Sequence, residues 1–269
     1  MEPLERSELR RLRALGRRGM RRRRGAFLLE GFRGVETALG RPGRVDLVVL
    51  TPGAAGHERA PRIQEMARGQ GVPVRGVAEE EMEELADTRT PAGVMARVRW
   101  DPPRDPPAAE VAAALEGKGL RRLLCLDGVG DPGNTGTLLR TADALGIGGA
   151  LLGRGTVEAG NPKTARSAAG SLLGFDYLAE EVDLPGVLAR LESDGWHIWR
   201  GEAEGGCTPR AAATGRWALV LGSEGHGLDP AAARVGEALH IPRRPGAESL
   251  NVAVAGGILM YLLTRGETS

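Results

Sequence analysis

Short apolar runs alternate along the chain with stretches in which apolar residues recur every three or four positions. The runs read as strands and the spaced stretches as amphipathic helices. In the first hundred residues this predicts a helix over 4–20 (Leu4, Leu9, Leu12, Leu15) and a strand over 27–31. A helix at 32–39, a buried strand at 45–50, a helix at 62–70 and a strand at 72–77 follow. The run Glu79-Glu80-Glu81-Met82-Glu83-Glu84 opens a further helix. Carboxylates in a first turn complement the helix dipole, so the run has a structural reading and not a metal-binding one. A strand at 93–100 closes this part.

The second part alternates more regularly. Leu123-Leu124-Cys125-Leu126-Asp127 is a continuous run, as in a strand buried on both faces. Helices are predicted at 134–145, 162–173, 184–193, 230–235 and 250–264, with strands at 150–152, 196–200, 218–221 and 238–241. Alternating β and α units predict an α/β fold, with a mostly parallel sheet covered by helices. Between the parts, Pro102, Pro103, Pro106 and Pro107 exclude helix and inner strand and favour an extended spacer. The predicted organisation is a first domain over 1–100, a linker over 101–108 and a second domain over 109–269.

Composition narrows the function classes. Two cysteines, Cys125 and Cys207, exclude a disulfide framework or a Cys-rich zinc module, and four scattered histidines make a metal site an unexpected feature. No apolar run reaches membrane-spanning length and the start of the chain is arginine-rich, so neither a membrane span nor a secretory signal is expected, and the expected address is cytoplasmic. The net charge of +1 hides an asymmetry, because residues 1–24 hold ten arginines against three glutamates. Lysine occurs only at Lys118 and Lys163, so arginine richness alone carries little weight. The cluster Arg21-Arg22-Arg23-Arg24 carries more, and points to contact with nucleic-acid phosphate, with a solvated helix end as the alternative.

Ligands of parallel α/β sheets bind where strands end, and three strand-ending loops stand out. The first, after Asp127, contains Gly128-x-Gly130-x-x-Gly133, formally a dinucleotide fingerprint. Pro132 stiffens it, and no acidic residue ends the next strand at Leu152-Gly153-Arg154, so a polar first turn capped by Asn134 is preferred. The second is Leu221-Gly222-Ser223-Glu224-Gly225-His226-Gly227, with three glycines where an ordinary turn needs one. The third runs from Ile241 through Arg243-Arg244 to Ser249, Leu250 and Asn251, where Ser249 reads as a plain N-cap. A helix rich in small residues follows (Ala253, Ala255, Gly256, Gly257).

The stretches DPGNTGTLLRTADALG (131–146), ALVLGSEGHGL (218–228) and IPRRPGAESLNVAVAGGILMYLLTR (241–265), in this order, resemble the SpoU/TrmH family of RNA 2′-O-ribose methyltransferases of the SPOUT superfamily. FLLEGFRGVETAL (27–39) and TPAGVMARV (90–98) resemble the substrate-binding domain of many members, which is similar to a small ribosomal protein. The resemblance implies a SPOUT-type second domain with a deep trefoil knot, a homodimer with a shared active site, and S-adenosylmethionine as cofactor. Leu221, Gly222, Gly225, Ile241, Leu250 and Ala253 would contact that cofactor, and Asn134, Arg140, Glu224, Ser249 and Asn251 fall on the family's polar motif positions. Arg243-Arg244 departs from the more usual apolar choice, which bears on RNA contact.

The implied reaction is methylation of a ribose 2′-hydroxyl in structured RNA, with ribosomal RNA favoured over transfer RNA by the two-domain layout. Two other classes remain: a non-catalytic RNA-binding protein on the same fold, and a nicotinamide oxidoreductase, which only Gly128-x-Gly130-x-x-Gly133 suggests. The family's proposed base matches Arg140. Because arginine stays protonated near neutral pH, binding the substrate phosphate and ordering the hydroxyl is the physically preferred role for it. Glu224 is expected to hold Arg140 or a cofactor amine. Aromatic residues make up 3% of the chain, so phosphate and shape contacts are expected to dominate over stacking.

Overall fold

The computed structural model describes residues 1–208, 213–244 and 246–265. Pro245, inside the third motif, lies outside them. The chain forms two compact units, one of residues 1–101 with 159–173 and one of residues 102–158 with 174–269.

The first unit is an α/β/α layer around a five-stranded sheet of order β1-β4-β3-β5-β2, made by Glu2–Pro3, Val74–Gly76, Val45–Leu50, Val94–Arg99 and Ala26–Glu30. The sheet is mixed, because β5 runs antiparallel to both β2 and β3. Successive residues of β3 face opposite ways. Leu47 and Val49 join Met95 under Leu12 of α1 (Arg6–Ala14) and Met82 of α5 (Glu79–Leu85). Helices α3 (Phe32–Leu39) and α4 (Ala60–Gly69) pack on each other, with α3 against β2 and β5.

The helix expected over 4–20 is two helices, α1 and α2 (Arg18–Arg24), broken at Gly16. Arg21 holds the break together. It is only 7% exposed, and its guanidinium donates to the carbonyls of Leu15 and Gly16 at 2.9 and 2.8 Å. This corrects one residue of the proposed RNA cluster, since Arg21 satisfies the orphan carbonyls at the end of α1. Arg22 is half-buried, whereas Arg23 and Arg24 are exposed.

The second unit has a six-stranded, all-parallel sheet of order β11-β9-β10-β6-β7-β8 (Glu237–Leu239, His197–Gly201, Trp217–Gly222, Arg122–Asp127, Gly149–Gly153, Tyr177–Val182). Val111 and Leu115 of α6 (Ala108–Gly117) and Val187, Leu188 and Leu191 of α9 (Leu184–Ser193) bury one face over Cys125, Leu151, Ile198 and Val220. Helices α7 (Pro132–Ala144) and α10 (Val252–Thr264) pack together on the other side, where α7 meets β6 and α10 meets β9 and β10.

Two expectations of organisation change. The Pro-rich stretch is no free spacer. Glu180 N–H donates to Pro103 O and Asp105 N–H to Glu180 O, both at 2.9 Å, so the stretch lies along the edge of β8, and Asp105 also pairs with Arg154 at 2.8 Å. The helix read over 162–173 is α8 (Pro162–Ala168) followed by a 3-10 turn. This segment, 159–173, groups with the first unit, where α8 lies against β2, and not with the domain expected over 109–269.

Replacing Arg21 by Gln is expected to lower unfolding stability by about 1–3 kcal/mol, because the buried carbonyl of Leu15 and the partly buried one of Gly16 lose their donor. Replacing Arg23 or Arg24 should change it by less than about 0.5 kcal/mol. Urea unfolding of the three single variants tests this; equal effects would remove the distinction.

Candidate functional site

All strands of the second sheet point the same way, so the loops after β9, β10 and β11 gather at one edge, as do those after β6 and β7. Asp131 caps α7 by accepting Asn134 N–H at 2.8 Å, and Pro132 occupies the first turn where no N–H is needed. Asn134 is therefore not the cap, and its amide is free for other work. Ser249 is not a cap either. Asn251 caps α10, its Oδ1 accepting from Ala253 N–H at 3.0 Å and Val254 N–H at 3.3 Å.

That cap fixes the orientation of a network. With Asn251 Oδ1 committed to the helix, its NH2 donates to Asn134 Oδ1 (3.1 Å) and Glu224 Oε1 (2.7 Å). Asn134 then has its NH2 left, which donates to the same Glu224 oxygen at 2.9 Å, and Val252 N–H adds a longer bond at 3.4 Å. No amide can be flipped without setting donor against donor. Three loops are thereby joined at one carboxylate. The expected pairing of Glu224 with Arg140 is not made. Arg140 is exposed on α7, and its guanidinium has no partner among the described residues.

The Glu224 loop is a tight hairpin in which Ser223 and Gly227 exchange backbone bonds at 3.0 and 2.9 Å. A Cβ at Gly222 would overlap the backbone of Gly227 and Leu228, so only glycine fits. Beneath it, Asp127 at the end of β6 accepts Asp229 N–H at 2.7 Å, tying the first loop to the second. Burial raises the Asp127 carboxyl above the ordinary carboxylate range, the bond from Asp229 pulls it back, and the charge of Asp229 pushes it up again.

Beside this network lies a cavity of about 460 Å³. Leu221, Gly222, Ile241 and Leu250 line it, as do Glu224 and Ser249. Gly225, at the exposed hairpin tip, and Ala253, buried in α10, do not. The sequence did not single out Gly201–Glu204, the wall that follows β9, because no motif marks it. Arg243 holds that wall. Its guanidinium donates to Ala203 O at 2.7 Å and to Ala247 O at 3.5 Å, with Glu204 at 4.0 Å. The side chain is therefore engaged at the cavity rim, where the sequence reading connected it with RNA.

Gly256 packs on Leu138 of α7 and Leu221 of β10, within the chain. The outward stripe is Val254, Ile258 and Tyr261, at 52, 37 and 58% exposure, one helical face at spacings of four and three, with Leu250 exposed before it. Among the described residues no group of His, Cys, Asp and Glu could hold a metal ion, and no helix is long and apolar enough to cross a membrane.

Asp127→Asn keeps the acceptor for Asp229 and removes the charge. The native state of the wild type holds its Asp127 proton to higher pH than the unfolded chain, so the wild type loses stability as pH rises across that window. The variant should gain on the wild type in urea midpoint as pH rises through and above the ordinary carboxylate range. A gap that does not widen with pH would contradict this.

Residues 121–261 match the model of the SpoU rRNA Methylase family, and residues 6–96 match an MRM3-like substrate binding domain. The 23S rRNA (guanosine(2553)-2'-O)-methyltransferase RlmP of Bacillus subtilis is 34% identical over 239 residues, covering 88% of both chains. The 23S rRNA (guanosine-2'-O-)-methyltransferase RlmB of Escherichia coli is 29% identical, over 88% of this chain and 98% of that one. A solved Porphyromonas gingivalis protein described as of the TrmH family superposes with a TM-score of 0.76 at 29% identity, over 97% of this chain and 98% of that one. The AdoMet complex of the SpoU methyltransferase AviRb from Streptomyces viridochromogenes shares the fold, with a TM-score of 0.77 at 24% identity, over 96% and 98%. With three motif loops meeting at Glu224 beside one cavity, and with these matches spanning both units, the chain belongs to the SpoU rRNA methylase family.

Proposed function

We propose that the protein transfers a methyl group from S-adenosylmethionine to a ribose 2′-hydroxyl of ribosomal RNA. The observation that carries this is the cavity at the ends of β9, β10 and β11, rimmed by Glu224 and Ser249 and bounded by the Asn134–Glu224–Asn251 network. Its size and mixed lining suit a nucleoside-sized ligand. Leu221, Ile241, Leu250 and Leu259 offer apolar area, Gly222 lets backbone approach closely, and Glu224 and Ser249 supply polar groups. The names of the RlmP and RlmB relatives support ribosomal RNA, and guanosine, over transfer RNA.

S-adenosylmethionine, when bound, supplies an electrophilic methyl group on a good sulfonium leaving group. The chain's residues must hold the ribose in line and let its hydroxyl lose a proton. Asn134 and Asn251 are locked by Glu224 and provide rigid positions beside the cavity. Arg140, exposed and without a partner among the described residues, orients the substrate through its phosphate. A fork of donors suits that role better than proton acceptance does.

The working form is a homodimer, supported by the apolar stripe Val254, Ile258 and Tyr261, which a second copy would cover. Arg140 of one subunit would then serve the cavity of the other. The loops around Glu224 and after Ile241 are those a trefoil knot would thread, and the protein would work in the cytoplasm. The roles of Arg22, Arg23 and Arg24 in holding RNA phosphate belong to the same reading.

Incubating the purified protein with S-adenosylmethionine and unmodified ribosomal RNA should place one 2′-O-methyl group, absent from RNA of a strain lacking the protein. Arg140→Ala should reduce transfer at least about a hundredfold while cofactor affinity changes less than about twofold. Heterodimers of Arg140→Ala with Gly222→Trp subunits should regain activity at one of two sites. No methylation on any ribosomal RNA would overturn the reaction, and no recovery in verified heterodimers would overturn the shared site.

A further inference from the structure

The two motif stretches of the first unit play no part in the site above. They nevertheless converge. Phe32 from FLLEGFRGVETAL and Pro91, Ala92 and Gly93 from TPAGVMARV line one open cavity of about 530 Å³, together with His57 and Glu79. Glu30 arranges this convergence, its carboxylate accepting from Thr88 Oγ1 at 2.8 Å and Ala92 N–H at 3.2 Å. Gly93, at φ 73°, lies so close to Ala54 and Thr51 that a Cβ would meet them at 2.6 and 2.8 Å.

At this cavity the rings of Phe32 and His57 stack at 3.8 Å and 13°. A buried pair of this kind would be ordinary core packing, but here His57 is exposed and Phe32 only half-buried, in a chain with 3% aromatic residues. The pair is also held in place. His57 Nδ1 accepts Arg59 N–H at 3.1 Å, and Arg59 is tied to Glu36 at 2.7 Å. Beside it, Glu79 Oε1 accepts Gly53 N–H at 3.1 Å, and its second oxygen has no partner among the described residues. Helix α3 begins at Phe32 behind Gly31 without any side-chain cap, and Arg33 on its first turn is exposed, an arrangement that favours an anionic group.

We infer that the Phe32–His57 cavity is a nucleobase pocket, which takes an unpaired base of the substrate RNA by ring stacking, away from the methylated nucleotide. It rests on the reading that the substrate is RNA. Aromatic faces are tolerant platforms for unstacked bases, whereas a paired helix offers none. The free carboxylate oxygen of Glu79 is an acceptor for the adjacent imino and amino donors of guanine. The uncapped start of α3 and Arg33 suit the flanking phosphate. The pocket would thus select RNA by the presence of an open loop, with guanine the matching base.

The test uses the full-length protein and two RNA hairpins of equal length, one with unpaired guanines in an internal loop and one fully paired, titrated by fluorescence anisotropy. The wild type should prefer the looped hairpin roughly tenfold or more. Phe32→Ala and His57→Ala should each remove that preference, and Phe32→Tyr should keep it. Unfolding midpoints and cofactor affinity serve as fold controls, and His57→Ala, at an exposed position, keeps the test open if Phe32→Ala does not fold. Equal binding of both hairpins by the wild type, or an undiminished preference in His57→Ala and folded Phe32→Ala, would overturn the pocket. So would intact hairpin binding in variants that lose affinity for assembled ribosomal subunits, which would assign the cavity to a protein. A hairpin preference that depends on Phe32, in a protein that methylates no ribosomal RNA, would sustain the pocket and overturn the proposed reaction alone.

Discussion

One carboxylate oxygen, Glu224 Oε1, accepts from the side chains of Asn134 and Asn251 and from the backbone of Val252, and so joins three loops that leave three different strands. Each loop is separately anchored. Asp131 starts α7, Gly222 lets the Glu224 hairpin fold back on itself, and Asn251 starts α10. The anchors define where each side chain begins, and the carboxylate defines where they meet. The cavity beside it is a consequence, because its walls are the same hairpin and the same approach to α10. Charge-assisted bonds to a carboxylate are among the stronger ones available for such a junction.

The sheet makes this junction possible. Strand β10 lies between β9 and β6 with all directions parallel, which brings the Glu224 loop between the wall after β9 and the Asn134 loop after β6. Asp127 adds a second tie under the first, at the cost of a buried carboxyl whose proton is held more tightly than usual. On the remaining side, Gly256 lets α10 settle onto α7 and β10, which turns Val254, Ile258 and Tyr261 outward.

Where a segment has one dominant period, the sequence predicts it well: α9 has its expected bounds, Leu184–Ser193, and β3 its expected bounds, Val45–Leu50. Strand β8, Tyr177–Val182, was illegible because Glu180 and Glu181 interrupt its apolar run, although Glu180 is almost fully buried against the Pro-rich stretch. Helix α6 was illegible because its alanines give no clear stripe and only Val111 and Leu115 are buried. Within the site, the polar residues could be named from their motifs, but their meeting could not. Asn134 and Glu224 are 90 positions apart, and Asn134 and Asn251 are 117 apart, and local pattern carries no information over such separations. The helix caps lie two and three residues from the expected ones for the same reason, since Asp131, Asn134, Ser249 and Asn251 are all competent N-caps and only tertiary partners decide among them. Arg21 shows the converse, a charge cluster one of whose members is a buried structural donor.

The central claim is that Glu224 holds the three loops in one arrangement, and amide hydrogen exchange of Glu224→Ala measures this directly. Exchange should quicken at Val252, Ala253 and Val254 and across the 223–228 hairpin, while β8 and α9 exchange as in the wild type. Unchanged rates at the start of α10 and in the hairpin would contradict the account, because the loops would then hold their places without the carboxylate.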